Sequence, residues 1–563
     1  MISRREFLTA ATAAAGLVAS GGGGLGRLAA QARLSQEGLL RFAPVGNVTL
    51  VHFTDIHAQL VPLHFREPSV NIGVGESKGQ VPHVTGAEFL KTFKIATKSP
   101  FAHALTSEDF AALARNYGRM GGLDRVATVL SAIRAERNGK VLLLDGGDTL
   151  TNSWTSLQTK GQDMIDVMSA LRPDAMTGHW DFTLGDERVK ELVDKLGYPF
   201  LAQNIRDTEF EDRVFPASSM FERGGVKIAV IGQAFPFTPI ANPRWMTPKW
   251  TFGIRASDLQ KEVDEVKAAG ADLVVLLSHN GFDLDRKLAR LVRGIDVILS
   301  GHTHDAIPEV TKVEGTLLVA SGSNGKFVSR LDLDVQGRSI KAFRYRLIPI
   351  FADAIAPQKQ VADLIARVRA PYVPDLTRVL GQTQSLLYRR GNFNGTLDDV
   401  ICAAMLSQRD AQIALSPGIR WGTTLLPGQN ITFEDVTNAT AMTYPACYRT
   451  AMTGSRLKEV LEDVADNIFN PDPFYQQGGD MVRTGGLAYS IDVSQPIGHR
   501  ISGMTLLKTG AAIEAGREYT VAGWASINQG TEGPPIWEVV AKHIEAQITV
   551  TASESGAVKV IGI

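Results

Sequence analysis

Five short apolar runs in this chain end abruptly in aspartate, histidine or glycine, and that recurrence constrains the fold more than any bulk property. They are VTLVHFTDIH (48–57), VLLLDGGD (141–148), DAMTGHWD (174–181), LVVLLSHNG (273–281) and VILSGHTH (297–304). Short β-branched-rich runs bounded by glycine or polar residues read as buried strands. Helical patterns fall between several of them, at 161–171, 186–197 and 256–270. Strands alternating with helices predict an α/β domain whose ligands gather at the C-terminal ends of the strands. That is where these aspartates and histidines stand.

At 563 residues the chain exceeds what one hydrophobic core usually serves, so two domains are expected. The first domain, which carries all five strand-end motifs, is expected over 45–352. Within it, residues 62–106 carry proline, glycine and scattered charge without sustained periodicity, a length that suggests a functional cover or insertion. A connecting segment, 353–378, contains the helical pattern 357–373 and ends near Pro374. A second domain, 379–563, follows, with helices expected over 395–408 and 454–469. The net charge of −1 and a charged fraction of 21% leave no electrostatic footprint for a nucleic-acid polymer. Cys402 and Cys447 are the only cysteines, which excludes a disulfide framework. They are read either as one bridge in an oxidising compartment or as two small buried hydrophobes.

The first residues read Ser3-Arg4-Arg5-Glu6-Phe7-Leu8, followed by an apolar, small-residue run to Ser20. This pattern is expected to be a twin-arginine export signal over 1–32. Its apolar stretch is too short to span a bilayer, and Ala30-Gln31-Ala32 offers a small-residue cleavage site. Cleavage there removes three arginines and one glutamate and leaves a net charge of −3. A slightly acidic periplasmic protein, not membrane-bound once cleaved, is the expectation.

Asp55 and His57 follow a strand at i, i+2 spacing, so both side chains can project to one side and chelate one ion. Asp148 follows Gly146-Gly147, which lets backbone approach closely and frees the carboxylate to bridge two ions. His279 ends a further strand, and His302 and His304 repeat the i, i+2 spacing at another. In this order D-x-H, G-G-D, a glycine-led motif near 178, S-H-N-G and G-H-T-H resemble the calcineurin-type metallophosphoesterases, specifically the 5′-nucleotidase family. The resemblance covers nearly all of the chain after residue 32. It implies a two-sheet α/β/β/α sandwich followed by a 5′-nucleotidase-type C-terminal α/β domain that binds substrate. It also implies one metal on Asp55, His57, Asp148 and His304, and a second on Asp148, His179, His279 and His302. A donor set of Asp and His without thiolate suits two divalent ions, with manganese expected and zinc or iron as alternatives.

The third motif departs from the nucleotidases, which read Gly-Asn-His-Glu/Asp there. With Gly178 aligned, His179 replaces the asparagine ligand, Trp180 replaces the histidine that stabilises the transition state, and Thr183 stands where that histidine's aspartate partner would be. Indole carries only an N–H donor and trades no proton. In the C-terminal domain GGDMVRTGGLAYSID (478–492) puts Asp480 in place of a base-stacking aromatic, although Tyr444 retains a second one. Among related families SoxB, the thiosulfohydrolases of sulfur oxidation, combines these departures. The likeness rests on GHWDFTLG (178–185), NYGRMGG (116–122), HVTG (83–86), SPGIRWG (416–422) and TYPACYRTAMTG (443–454).

Similarity to SoxB implies attack of a metal-activated hydroxide on the sulfonate of a cysteine-linked thiosulfonate carried by SoxYZ, releasing sulfate. Arg420 is the candidate sulfonate clamp, because a planar guanidinium holds two oxygens at once. Arg483 and Tyr444 are further candidates for binding substrate, with Arg389 and Arg449 as weaker ones. Asp148, Trp180, Asp181 and Arg420 form the expected catalytic group, Asp181 by orienting a neighbouring ligand. The chain is expected to be monomeric. Two other classes remain: a periplasmic 5′-nucleotidase or 2′,3′-cyclic-nucleotide phosphodiesterase, and a metal-stabilised binding module without catalysis.

Overall fold

A computed structural model describes residues 34–553 and 555–562, so the expected export signal lies outside the described residues. Two sheets form the first domain. One orders its strands Ser339–Pro349, Phe327–Gln336, Val48–Phe53, Val141–Asp145 and Ala175–Met176. The other runs Thr311–Val313, Thr316–Ala320, Val297–Ser300, Leu273–Ser278, Val226–Gln233 and Ser218–Arg223. Strand Val48–Phe53 pairs parallel with Val141–Asp145, and Leu273–Ser278 pairs parallel with Val297–Ser300, so the motif-bearing ends of each pair lie side by side.

Near-continuous apolar sequence is what a strand covered on both faces requires. Leu50, Leu142, Leu144, Val275, Leu277 and Leu299 meet between the two sheets. Their alternates face outward: Val51, Phe53 and Leu143 pack under helix Leu123–Glu136, while Val274, Leu276 and Ile298 pack under helices Ala256–Ala268 and Phe282–Leu291. The result is the layered α/β/β/α arrangement. The glycine-led strand is shorter than its sequence run, only Ala175–Met176, because the chain turns into a 3₁₀ segment at Trp180–Leu184.

Helix Lys359–Arg369 leads to the C-terminal domain. Its main sheet orders Tyr448–Thr453, Glu518–Gly523, Ile413–Gly418 and Asp480–Gly485, with helices Thr396–Gln408 and Ile536–Gln547 packed on one side and Gly454–Phe469 on the other. Cys402 and Cys447 are free, buried thiols. Among the described residues no helix is long and apolar enough to cross a membrane.

Segment 62–106 lies at the junction of the domains. The Arg66 N–H donates to Thr424 Oγ1 (3.0 Å), the Thr424 N–H to the His64 carbonyl (2.7 Å), and the Ile72 N–H to Asn392 Oδ1 (2.6 Å). On the other side His83 Nε2 sits 2.7 Å from Asp283 Oδ2. The insertion thus ties both domains together above the strand ends. Leu277 is wholly buried between the sheets, so Leu277→Ala is expected to cost about 2–5 kcal/mol, read as a lowered midpoint in chemical denaturation.

Candidate metal centre

The strand-end residues converge in two adjoining groups: Asp55, His57, Asp148 and His304 in one, and His179, His279 and His302 in the other. Asp148 lies between them, its Oδ2 3.2 Å from His279 Nε2, 3.6 Å from His179 Nδ1 and 3.8 Å from His57 Nε2. Asp55 Oδ1 stands 3.2 Å from His304 Nε2 and 3.7 Å from His279 Nε2. All are buried except His302, which is half-buried.

Local backbone geometry explains the convergence. Asp55, His57, Asp148, His302 and His304 all have φ between 50° and 75°. A non-glycine residue holds that left-handed conformation only where its surroundings over-determine it, at a cost of about 1–3 kcal/mol each. Gly147 makes a close backbone approach: a Cβ there would meet Gly178 Cα at 2.7 Å. The G-G-D turn and the glycine-led turn are therefore in backbone contact, which brings Asp148 beside His179. Asp181 fixes the same pair of turns, its carboxylate accepting the N–H groups of Asp148 (3.1 Å), Thr149 (3.1 Å) and Leu150 (2.7 Å).

Four of the five imidazoles share a pattern that fits a cation; His304, whose Nδ1 has no hydrogen-bond partner, does not. His57 Nδ1 faces Asn152 Oδ1 (3.2 Å), His179 Nε2 faces Asn242 Oδ1 (3.0 Å), His279 Nδ1 faces the Gly146 carbonyl (2.6 Å) and His302 Nε2 faces the Gln477 carbonyl (2.9 Å). An oxygen acceptor holds the proton on the outer nitrogen and leaves the inner lone pair free for an ion. Inward, His179 Nδ1 and His279 Nε2 have no hydrogen-bond partner, and the Nε2 atoms of His57 and His304 stand 2.9 Å apart. The carboxylate and imidazole donors match a divalent ion, and the two groups could hold an adjoining pair sharing Asp148.

Electrostatics agree with this reading. Burial lowers His57 to about 4 and holds His302 and His304 well below the usual imidazole range, so all three are neutral donors. For His279 burial again acts to lower the pKa, but Asp148 and Asp55 outweigh it and raise it to about 10. Burial acts to raise Asp148, yet the His279 and His179 contacts hold it well below the usual carboxylate range.

Several aromatic neighbours enclose the site, of which only Phe235 lies outside the motifs quoted above. Trp421 stacks on His57 with ring centroids 4.8 Å apart, and Phe235 packs on both His179 (4.0 Å) and His302 (4.2 Å). Trp180 donates its backbone N–H to Asp148 Oδ1 (2.6 Å), and its indole meets Trp421 edge-on at 4.7 Å. Thr183 bonds back to the Trp180 carbonyl. Tyr444 lies parallel to Trp180 at 6.2 Å and accepts from Asn242.

Arg420 lines the small cavity that also exposes His302 and Asn280, and it donates to the carbonyls of Gly479 (2.6 Å) and Thr303 (3.3 Å). The other arginines stand elsewhere. Arg483, expected to bind substrate, is wholly buried and bonded to Asp398 (3.2 Å) and Asp480 (3.0 Å), so its charge is neutralised inside the C-terminal domain. Arg389 pairs with the same Asp398, and Arg449 holds the Asp410 carbonyl on an exposed strand. Neither reaches the site through these contacts.

Residues 379–541 match a family model described as the 5′-nucleotidase C-terminal domain. The human 5′-nucleotidase is 26% identical over 451 residues, 72% of this chain and 76% of that protein. A Thermus thermophilus structure described as the sulfate thiohydrolase SoxB in complex with glycerol is 36% identical. It covers 93% of this chain and 98% of its own, with a TM-score of 0.90. A 5′-nucleotidase precursor, also from Thermus thermophilus, shares the fold at 21% identity, covering 92% of this chain and 100% of its own, with a TM-score of 0.72.

If the two groups each hold an ion, His179→Ala leaves one group intact and is expected to reduce bound metal from about two ions per chain to about one. Asp148→Asn is expected to weaken both. Elemental analysis after dialysis of metal-loaded protein decides, and two retained ions in H179A would remove His179 from the ligand set.

Proposed function

The chain belongs to the 5′-nucleotidase superfamily of calcineurin-like metallophosphoesterases, and from that membership we propose that it is a SoxB-type thiosulfohydrolase of the periplasm. Its substrate would be a cysteine-linked thiosulfonate on the SoxYZ carrier, in thiosulfate oxidation. The observation that carries this reading is the aromatic wall beside the metal ligands. Trp180 stands where a nucleotidase has its proton-trading histidine, and it packs between Trp421 and Tyr444. One face of Tyr444 is taken up by Trp180, and Asp480 in the other stacking position is bonded to Arg483. A slender sulfonate chain suits this narrow site better than a nucleoside.

Two divalent ions, manganese in the first instance with zinc or iron as alternatives, would supply a water of lowered pKa and offset charge on the sulfonate oxygens. The water oxygen bonds to the sulfonate sulfur and the S–S bond breaks, so Cys–S–S–SO₃⁻ and water give Cys–S–SH, sulfate and one proton. The chain's own residues set the geometry. Asp181 holds the Asp148 turn through its backbone N–H groups. Arg420 reaches the cavity beside His302, and its long 3.3 Å bond to the Thr303 carbonyl is the one it can exchange for a sulfonate oxygen. A persulfide is a good leaving group, which reduces the need for the histidine that Trp180 replaces.

The resemblance to human 5′-nucleotidase keeps nucleotide hydrolysis as the competing reading. Sulfate release from thiosulfonate-loaded carrier, run beside AMP hydrolysis, separates the two. Sulfate release with negligible AMP turnover is expected, and AMP turnover alone overturns the proposal. Arg420→Ala is expected to lower kcat/KM for sulfate release by roughly 10–100-fold, the loss of one or two charge-assisted hydrogen bonds, while bound metal is retained.

A further inference from the structure

Arg390 belongs to the C-terminal domain, between strand Val379–Thr383 and helix Thr396–Gln408, but its guanidinium is spent on the other domain. Nη1 donates to the His304 carbonyl at 2.9 Å and Nη2 to the Thr303 carbonyl at 2.9 Å. Those carbonyls belong to the turn that presents His302 and His304, whose φ values of 75° and 59° need external support. A planar fork of two N–H donors suits two successive carbonyls in a way a single ammonium does not.

The guanidinium is itself held in place. Its Nη1 lies 3.3 Å from Glu67 Oε2 and its Nη2 lies 3.9 Å from Asp305 Oδ1. The other Glu67 oxygen accepts from Lys326 Nζ at 2.5 Å, and the same ammonium donates to the carbonyls of Phe65 (3.1 Å) and Ala104 (3.2 Å). Lys326 thereby has an acceptor for each of its three donors. Lys326, Arg390 and Glu67 are 0%, 4% and 5% exposed. Removing one member of such a buried charge group leaves the others uncompensated, so its geometry is tightly specified. The group joins the insertion, the start of strand Phe327–Gln336, the C-terminal domain and the metal-ligand turn.

We propose that Arg390 is a positioning residue for the metal pair: seating of the C-terminal domain sets the His302–His304 turn through its two carbonyls, so ion retention in both groups depends on this interdomain contact. One histidine of the turn serves each group, which is why a single guanidinium acts on both. The inference rests on reading the Asp/His groups as a metal pair, and is independent of which ester or sulfonate is hydrolysed.

The test loads the full chain with manganese alone, dialyses it against a chelator and follows metal per chain over time, for wild type, R390A and R390K. Loss of affinity of roughly 10–100-fold is expected for R390A, the range seen when a group orienting a metal ligand is removed. R390K, which keeps the charge but not the fork, is expected to fall between R390A and wild type. Thermal unfolding with and without manganese supplies the second readout: the rise in Tm on adding metal shrinks in the variants. Equal Tm losses with and without metal, together with wild-type retention in whichever variants fold, overturn the proposal. Because no substrate enters the measurement, metal loss in R390A from a protein that releases no sulfate sinks the proposed activity and upholds this inference. Sulfate release with unaltered metal retention does the reverse.

Discussion

Two carboxylates and five imidazoles converge in the buried interior with their lone pairs facing one another, and most of the surrounding structure follows from that convergence. Two carboxylates buried together repel each other, and around His279 burial acts to lower the pKa while Asp148 and Asp55 outweigh it and raise it to about 10. The cost is met in three ways. The strands that deliver the donors are anchored by apolar contacts on both faces. Backbone N–H groups at the G-G-D turn converge on Asp181, and the outer nitrogens of four histidines are fixed by oxygen acceptors.

The strand framework and the convergence of the Asp and His donors were legible in the sequence because both signals are local. A doubly covered strand needs a continuous apolar run, and a donor at its end needs only one or two further residues. D-x-H and H-x-H therefore announce their donors within three positions, but the residues lie beyond the strands in left-handed turns, with Asp55 and His57 in one group and His302 and His304 divided between the two. Segment 62–106 gave the opposite kind of signal, although it contains the helices Gly86–Thr92 and Pro100–Leu105. Its lack of period marked it as something other than a sandwich element, and it bridges the domains.

The parts that stayed hidden depend on contacts between distant segments. Asn152 and Asn242 support His57 and His179 across 95 and 63 residues, and the carbonyl of Gln477 supports His302 across 175. A backbone carbonyl has no sequence signature at all. Arginines misled for a related reason. Arg483, Arg389 and Arg390 look alike as basic residues of one domain, but two of them neutralise Asp398 inside it, and only Arg390 reaches across to the ligand turn. Which carboxylate an arginine meets is decided by tertiary packing, and composition near it carries no record of that choice.

His179 and Trp180 are adjacent, but they are supported from opposite directions. His179 is backed by Asn242 and Phe235, both from the first domain, so changing asparagine to histidine there is an internal edit of the metal site. Trp180 is met by Trp421 and Tyr444, both from the C-terminal domain. An indole at this position is therefore a domain contact as well as the loss of a proton carrier. The same two aromatic partners touch the site by other routes, since Trp421 stacks on His57 and Tyr444 bonds Asn242, which in turn faces His179. Residue 179 thus belongs to the candidate metal site, while residue 180 couples that site to the C-terminal domain. A histidine at 180 would leave the indole-sized gap between Trp421 and Tyr444 partly unfilled, so proton transfer and a closed aromatic wall are competing uses of one position.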